Sequence, residues 1–389
     1  MATRVGVFAP LFPPATRGGG PIRTLEALVK AAPDSAVISI LTRDRDLGEV
    51  DPLPVPSNRW RIWDRARVFN VTADSPRLLA RGYRALKATR PQVLYFNSFF
   101  EPRFSILPQL LWRFGYWGGA TRLLAPRGEF GAGALGQKPA RKRAFIVLYR
   151  ALGLHRRLFW HASSEMEAAD IRRVWGRDAK ILIRENETLL PDRAAEVPEL
   201  HGAPGPLRAF FIGRIARLKG LHVALEALRA VQAPVDFDVF GPIEDRAYYD
   251  ECLTLASQLP DNVRVAFRGP LAREVIHDTL SGYELFLFPS AGENFGHVIA
   301  ESLSAACAVF CSDRTPWSDV LRAGGGAVVP LNASDWSRAI QRRATESPDE
   351  RRSARIAAGQ AYDRWRAEAR GPHVFELLWH EQRELLPAD

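Results

Sequence analysis

The chain has 389 residues, 47% of them hydrophobic and 25% charged, with a net charge of +9. That length favours two domains over a single core, and the composition excludes a disordered chain. The excess base is confined to the front: residues 1–200 carry thirteen more cations than anions, and residues 201–389 carry four fewer. Such asymmetry suggests an anionic partner for the first half, a membrane surface or a nucleic acid, with a solvated Arg-rich surface as the plain alternative. Three cysteines, Cys252, Cys307 and Cys311, are too few for a disulfide framework and fit a reducing cytosol. Met1–Pro14 lacks the basic start and apolar core of a signal peptide, and no run reaches the roughly 18 apolar residues of a membrane span. The expectation is a cytoplasmic protein, at most peripheral on the inner face of the membrane.

In chain order, Arg4–Ala9 predicts a strand, Gly18-Gly19-Gly20 a turn, and Ile22–Ala31 a helix with Pro21 at its first position. Backbone N–H groups of such a glycine turn can approach a phosphate, although glycine clusters more often mark plain turns. Val37–Leu41 is the next strand, and Asp44–Arg67, rich in Pro, Arg and Trp, is expected to be irregular. Ser75–Thr89 and Arg103–Phe114 predict helices; Val93–Phe96 and Leu123–Ala125 predict strands, ending at Asn97-Ser98 and Pro126-Arg127-Gly128-Glu129. Gly131–Pro139 is expected to be a glycine-punctuated loop. Lys138, Arg141, Lys142 and Arg143 then precede the apolar segment Ala144–Leu154, which fits an interfacial helix or a core helix with basic ends. Leu158–Trp160, a helix at Ser164–Trp175 and Lys180–Ile183 close the first half. Residues 191–206, with four prolines and no periodicity, predict a linker.

The second half alternates. Strands are expected at Ala209–Ile212, Phe237–Phe240, Val263–Phe267, Glu284–Phe288, Val309–Cys311 and Ala327–Val329, with helices between them. Further helices are expected from Asp335 to His380. Alternation of this kind means βαβ units on a parallel sheet. The predicted division is therefore 1–190, a first α/β domain; 191–206, the linker; 207–365, a second α/β domain; and 366–389, a terminal helix that packs back toward the first domain.

Two stretches of the second half can bind a diphosphate. Gly213-Arg214-Ile215-Ala216-Arg217-Leu218-Lys219-Gly220 follows a strand and precedes a helix, so it offers backbone N–H groups, an Arg fork and a Lys point charge. It lacks the glycine spacing and Lys-Ser/Thr ending of a P-loop. Phe288–Cys307 reads as strand end, polar loop and helix, with Glu293 in the loop and Glu301 about one turn into the helix. Ligands of open parallel sheets bind beyond the strands' carboxyl ends, and carboxylates there suit sugar or ribose hydroxyls; a capping loop with two solvated acids is the alternative.

These motifs together resemble the retaining glycosyltransferases of family 4. The resemblance covers most of the chain. It rests on Glu293 and Glu301, with seven residues between them in Gly-Glu-Asn-Phe-Gly-His-Val-Ile-Ala-Glu, on Gly213-Arg214 with Lys219-Gly220, and on Gly241–Asp245 and Ser312–Trp317. It implies the α/β GT-B fold, two Rossmann-like doubly wound domains facing across a cleft. It implies transfer of a sugar from a UDP- or GDP-linked donor to a hydroxyl of a saccharide or lipid-linked acceptor, without metal or other cofactor. Arg214 and Lys219 would hold the diphosphate, Glu293 the sugar and Glu301 the ribose. Asn294, Phe295 and Gly296 would present amides, Gly19 and Gly20 would close over the phosphate, and Gly213 and Gly269 would line the donor.

Arg127 stands where the family often has a catalytic histidine and could bind phosphate, with Asn97 and Glu129 as acceptor candidates; a turn and a salt bridge are the plain alternatives for Arg127 and Glu129. Asp236-Phe237-Asp238 resembles the metal pair of another glycosyltransferase fold, but its placement in an apolar strand reads as structural. No nucleic-acid module is apparent. A nucleotide-sugar epimerase and a basic non-catalytic binding protein are the alternative readings.

Overall fold

The computed structural model describes residues 2–136, 139–198 and 205–384, and the chain divides into two compact units, Met1–Leu189 with Gly371–Asp389, and Leu190–Arg370. Lys138 and the middle of the expected linker, 199–204, lie outside the described residues.

The first unit runs β1 (Thr3–Phe8), α1 (Gly20–Lys30), β2 (Ala36–Arg43), β3 (Trp60–Trp63), β4 (Ala66–Val71), α2 (Pro76–Ala88), β5 (Val93–Asn97), α3 (Leu107–Arg113), β6 (Thr121–Ala125), α4 (Ala132–Gly136), α5 (Pro139–Ala151), β7 (Leu158–Ala162), α6 (Glu165–Trp175) and β8 (Lys180–Ile183). Its sheet has the order β3-β4-β2-β1-β5-β6-β7-β8, parallel except for the β3–β4 pair. Side chains alternate between two cores: Phe8, Leu94, Phe96, Leu124 and Trp160 enter one, and Val7, Tyr95, Leu123 and Phe159 the other. Both faces are buried, as a parallel sheet requires.

Two expectations fail here. The irregular stretch Asp44–Arg67 contains β3 and the start of β4, an antiparallel edge pair in which Trp60 stacks edge-on against Phe69. The glycine-rich loop Gly131–Pro139 contains α4, and α5 begins at Pro139, a residue compatible with a first helical turn.

The second unit runs β9 (Leu207–Ile212), α7 (Leu221–Leu228), β10 (Val235–Phe240), α8 (Arg246–Ala256), β11 (Val263–Gly269), α9 (Ile276–Ser281), β12 (Leu285–Phe288), α10 (His297–Ser304), β13 (Ala308–Cys311), α11 (Ser318–Val320), β14 (Gly326–Val328), α12 (Ala333–Thr345) and α13 (Pro348–Glu368). The sheet is wholly parallel, in the order β11-β10-β9-β12-β13-β14. One core, from Phe210 and Phe286 to Trp336 and Trp365, encloses it. The first residues of the expected linker are fastened to this unit: Tyr362 donates to the Pro191 carbonyl, and the Asp363 carboxylate accepts from Ala194 N at 2.8 Å. A last helix, α14 (Val374–Glu384), completes the first unit, where Val374, Phe375 and Leu378 join the core shared with α1.

Strand order places the functional loops. In each sheet the chain runs outward from a central strand and returns to that strand's other side, so the order reverses between β1 and β5, and between β9 and β12. At such a reversal the crevice beyond the strands' carboxyl ends can admit a ligand.

Candidate active site

In the second unit, the loops after β9 and β12 leave neighbouring strands, and three contacts bring them together. Ala291 N donates to the Leu218 carbonyl at 2.8 Å, and Ser290 Oγ reaches the same carbonyl at 3.2 Å. Gly220, with φ of 75°, lies so close to Pro289 that a β-carbon there would sit 1.9 Å from the Pro289 carbonyl oxygen. Only glycine satisfies both the left-handed backbone and that approach. As a result Lys219 Nζ meets Glu293 Oε1 at 2.6 Å, and Ser290 Oγ donates to the same oxygen at 2.7 Å. Both ion-pair side chains are largely buried, at 14% and 10% exposure. An ammonium has three protons, so Lys219 can hold Glu293 and still donate to an incoming anion.

Arg214 is directed to Glu244, in the loop after β10, where they form an ion pair at the surface. The two loops are laced by backbone bonds: Ile215 N to the Pro242 carbonyl at 2.9 Å, and Asp245 N to the Ile215 carbonyl at 3.2 Å. Gly241, with φ of 138°, abuts the Gly213 carbonyl, where a β-carbon would come within 1.8 Å. Gly213 itself packs beside Phe211 and Phe288, and Gly269 caps β11 with its carbonyl accepting from Gly241 N at 2.9 Å.

The loop after β12 is held from its other side by the segment after β13. Glu293 N donates to the Arg314 carbonyl at 3.1 Å, and the Trp317 indole donates to the Phe295 carbonyl. Gly296, with φ of 83°, is the N-cap of α10, and no side chain at that position caps the first turn. Asn294 and His297 flank it, half-buried, and Glu301 stands half-buried on the second turn of α10. A helix start with a cation beside it favours a negative ligand.

Asp236 and Asp238 are taken up structurally: Asp236 pairs with Arg264 at 3.1 Å, and Asp238 accepts from Arg268 Nε at 3.0 Å and Tyr283 Oη at 2.6 Å. Among the described residues, no group of three His, Cys, Asp or Glu is placed to hold a metal ion. The three cysteines are free and buried, and burial pushes the Cys311 thiol up to about 12.

In the first unit, the carboxyl ends of β5 to β8 carry a second polar cluster. Arg127, just past β6, has φ of 55° and directs its fork to three partners: Nε to Asn97 Oδ1 at 2.7 Å, Nη2 to Tyr95 Oη at 2.7 Å, and Nη1 to Asn186 Oδ1. Tyr95 Oη in turn bonds His161 Nδ1 at 2.9 Å, and His161 Nε2 lies 3.0 Å from the Arg184 carbonyl. A carbonyl only accepts, so the imidazole proton sits on Nε2 and Nδ1 accepts from Tyr95. Burial, with Arg127 nearby, holds His161 well below the ordinary histidine range, consistent with that neutral form.

Glu129 serves its own loop: Ser98 Oγ donates to it at 2.8 Å, Phe100 N at 3.2 Å, and Phe99 N as well. Burial raises its pKa against the lowering effect of these donors. Glu167 likewise receives Gly128 N at 2.7 Å and Ser163 N at 2.8 Å. Gly19 is the N-cap of α1 with φ of 63°, Gly20 is its first residue, and a β-carbon on Gly19 would meet nothing within 4 Å.

The structure thus joins Lys219 with Glu293, and Arg127 with Asn97. Tyr95, His161, Asn186, Ser290 and Glu244 are not singled out from the sequence, although Ser290 and Glu244 lie within the Phe288–Cys307 and Gly241–Asp245 stretches. Of these, Ser290 and Asn186 follow strand ends, the position at which a parallel sheet displays its ligands, and that rule alone singles them out.

Residues 193–361, inside the second unit, match the family model described as Glycosyl transferases group 1. The chain is 30% identical over 160 residues to the D-inositol 3-phosphate glycosyltransferase of Nocardia farcinica (strain IFM 10152), a match covering 38% of this chain and 35% of that protein. The matched stretch therefore spans about a third of that relative's length. Two solved structures match over nearly their whole length. Sucrose-phosphate synthase from Thermosynechococcus elongatus gives a TM-score of 0.72 at 17% identity, covering 99% of both chains. Anabaena HepE, in complex with UDP and glucose, gives 0.66 at 15% identity, covering 99% of this chain and all of the other. The fold is GT-B, and residues 193–361 of the second unit match the glycosyl transferases group 1 model.

Proposed function

We propose that this protein is a family 4 glycosyltransferase that moves a sugar from a UDP- or GDP-linked donor to a hydroxyl of a saccharide or lipid-linked acceptor, with retention of configuration. The observation that carries the reading is the meeting of Lys219 and Glu293 at the β9–β12 reversal, inside the segment that matches the family model. A UDP complex of a protein with this fold, HepE, supports the donor class.

Cleaving a sugar–phosphate bond builds negative charge on the departing phosphate, and preorganised cations and helix dipoles oriented toward it lower the barrier. In this reading Lys219 and Arg214 supply those cations, so no metal is needed. The Asn294, Phe295 and Gly296 amides, with Gly213, receive donor oxygens, and Gly269 lines the base. Glu293 orients the donor sugar, Glu301 the ribose, and Gly19 and Gly20 the phosphate. Arg127 acts with the catalytic groups, and Asn97 and Glu129 serve the acceptor. Retention follows when the acceptor hydroxyl attacks from the face the phosphate leaves. The acceptor belongs to a bacterial cell-surface polysaccharide or glycolipid.

Incubation with a panel of UDP- and GDP-sugars tests this. Expected are release of nucleoside diphosphate, faster with a saccharide acceptor, no loss on adding a chelator, and a product with the donor's anomeric configuration by NMR. Conversion of the donor to a new nucleotide sugar without acceptor would instead identify an epimerase. No turnover of any donor, together with no thermal stabilisation by UDP or GDP, would overturn the reading.

A further inference from the structure

Helix α5 carries an apolar face that the unit does not cover. Its inner side, Phe145, Ile146 and Tyr149, packs into the first unit's core, and Tyr149 is the helix's one buried residue among those described. Its outer side repeats the pattern: Ala144, Val147, Leu148, Ala151 and Leu152 follow one another at i, i+3, i+4, i+7 and i+8, and all are exposed. Val147 is 67% exposed and Leu148 55%. Leu152 N still bonds the Leu148 carbonyl at 2.9 Å, so the stripe continues through the end of the helix. A surface helix ordinarily turns one such stripe inward and none outward.

The sequence around the helix is strongly basic. Between Glu101 and Glu165 the sequence holds eleven Lys and Arg and a single acid, Glu129, whose carboxylate is occupied by Ser98, Phe99 and Phe100. Arg141, Arg143, Arg156 and Arg157 are exposed around the stripe. Lys142 and Arg150 fasten the helix: Lys142 Nζ donates to the Ala134 carbonyl at 2.6 Å, and Arg150 donates to the Val174 carbonyl and lies over the Trp175 ring.

We infer that α5 docks on an anionic lipid surface, its aliphatic stripe entering the boundary between headgroups and acyl chains while the arginines meet lipid phosphates. A nucleic acid would use the cations but has no partner for an aliphatic stripe, whereas stacking platforms are aromatic. Two copies joined through the stripe would set arginines against arginines with no acid on α5 to pair them.

The test is co-sedimentation of the full chain with vesicles of phosphatidylcholine alone, or mixed with phosphatidylglycerol. Binding is expected to the mixed vesicles and to weaken with salt. Arg141→Gln/Arg143→Gln should lower the partition coefficient roughly 20-fold, and Val147→Gln/Leu148→Gln about tenfold. All four side chains are exposed, so circular dichroism and melting should stay as in the parent, and transfer to a water-soluble acceptor should persist. The inference fails if mixed vesicles do not bind the chain or if both double variants bind like the parent. It also fails if Val147→Gln/Leu148→Gln instead abolishes a dimer seen by sedimentation velocity, or if single-stranded DNA competes all binding away from the vesicles. None of these outcomes bears on sugar transfer, which is measured separately.

Discussion

Lys219 Nζ and Glu293 Oε1 lie 2.6 Å apart although 74 residues separate them, because β9 and β12 are adjacent strands whose loops are drawn together by the Gly220–Pro289 approach. Lys219→Ala leaves a largely buried carboxylate with, among the described residues, only Ser290 Oγ as a neighbouring side-chain donor, and removes a cation from the proposed donor site. It should cost about 1–3 kcal/mol in urea unfolding and roughly 100-fold or more in kcat. Lys219→Ala/Glu293→Ala should regain part of the stability and none of the activity. Equal stability of the single and double variants would show the two charges to be uncoupled.

Two glycines with nearly the same backbone should respond differently to alanine. Gly220 and Gly269 have φ of 75° and 74°, but a β-carbon at Gly220 meets the Pro289 backbone while one at Gly269 meets nothing within 4 Å. Gly269→Ala should cost only the left-handed strain, about 1–2 kcal/mol. Gly220→Ala must also separate the β9 and β12 loops, and should cost roughly 2–4 kcal/mol with loss of transfer. Thermal melts and kcat/KM of the two variants make the comparison; equal effects on both would refute the close approach.

Arg127 uses three nitrogens on three side chains, so charge alone cannot replace it. Arg127→Lys retains a cation with one point of attachment and should lose about 2–3 kcal/mol, close to Arg127→Met. Denaturant unfolding checks this: a lysine variant as stable as the parent would mean the fork is unimportant.

Acid should weaken the first unit through His373. This residue caps α14 with Nδ1 accepting from Phe375 N at 3.2 Å, while Nε2 lies 3.0 Å from the Leu28 carbonyl. The Nδ1 bond requires the neutral ring, since Nδ1 must be unprotonated to accept, whereas the Nε2–H donor to the carbonyl is present in either form. Burial pushes its pKa down to about 4, against an ordinary 6.5. The unfolded chain therefore binds the proton first: stability is complete above pH 6.5, falls as pH drops toward 4, and this contribution loses no more below that. The loss should amount to roughly 3 kcal/mol across the window. His373→Asn should flatten the slope of unfolding free energy against pH there; an unchanged slope would show that His373 does not supply it.

The alternating apolar runs and glycine turns of the second half were sufficient to read its βαβ order, since each run is a local signal of a buried strand or a helix face. The positions of Arg214, Lys219 and Glu293 past strand ends were legible for the same reason. The β3–β4 pair was not, because edge strands are short and Trp60–Val71 is interrupted by Asp64 and Arg65 in place of a Gly-rich turn. Nor were the partners. That Glu293 answers Lys219 follows from β10 and β11 lying on the far side of β9, and that Asn186 reaches Arg127 directly and His161 reaches it through Tyr95 follows from β5 through β8 standing side by side. Strand adjacency is chosen by the burial of both sheet faces at once, a condition on the whole unit that no stretch of sequence contains by itself.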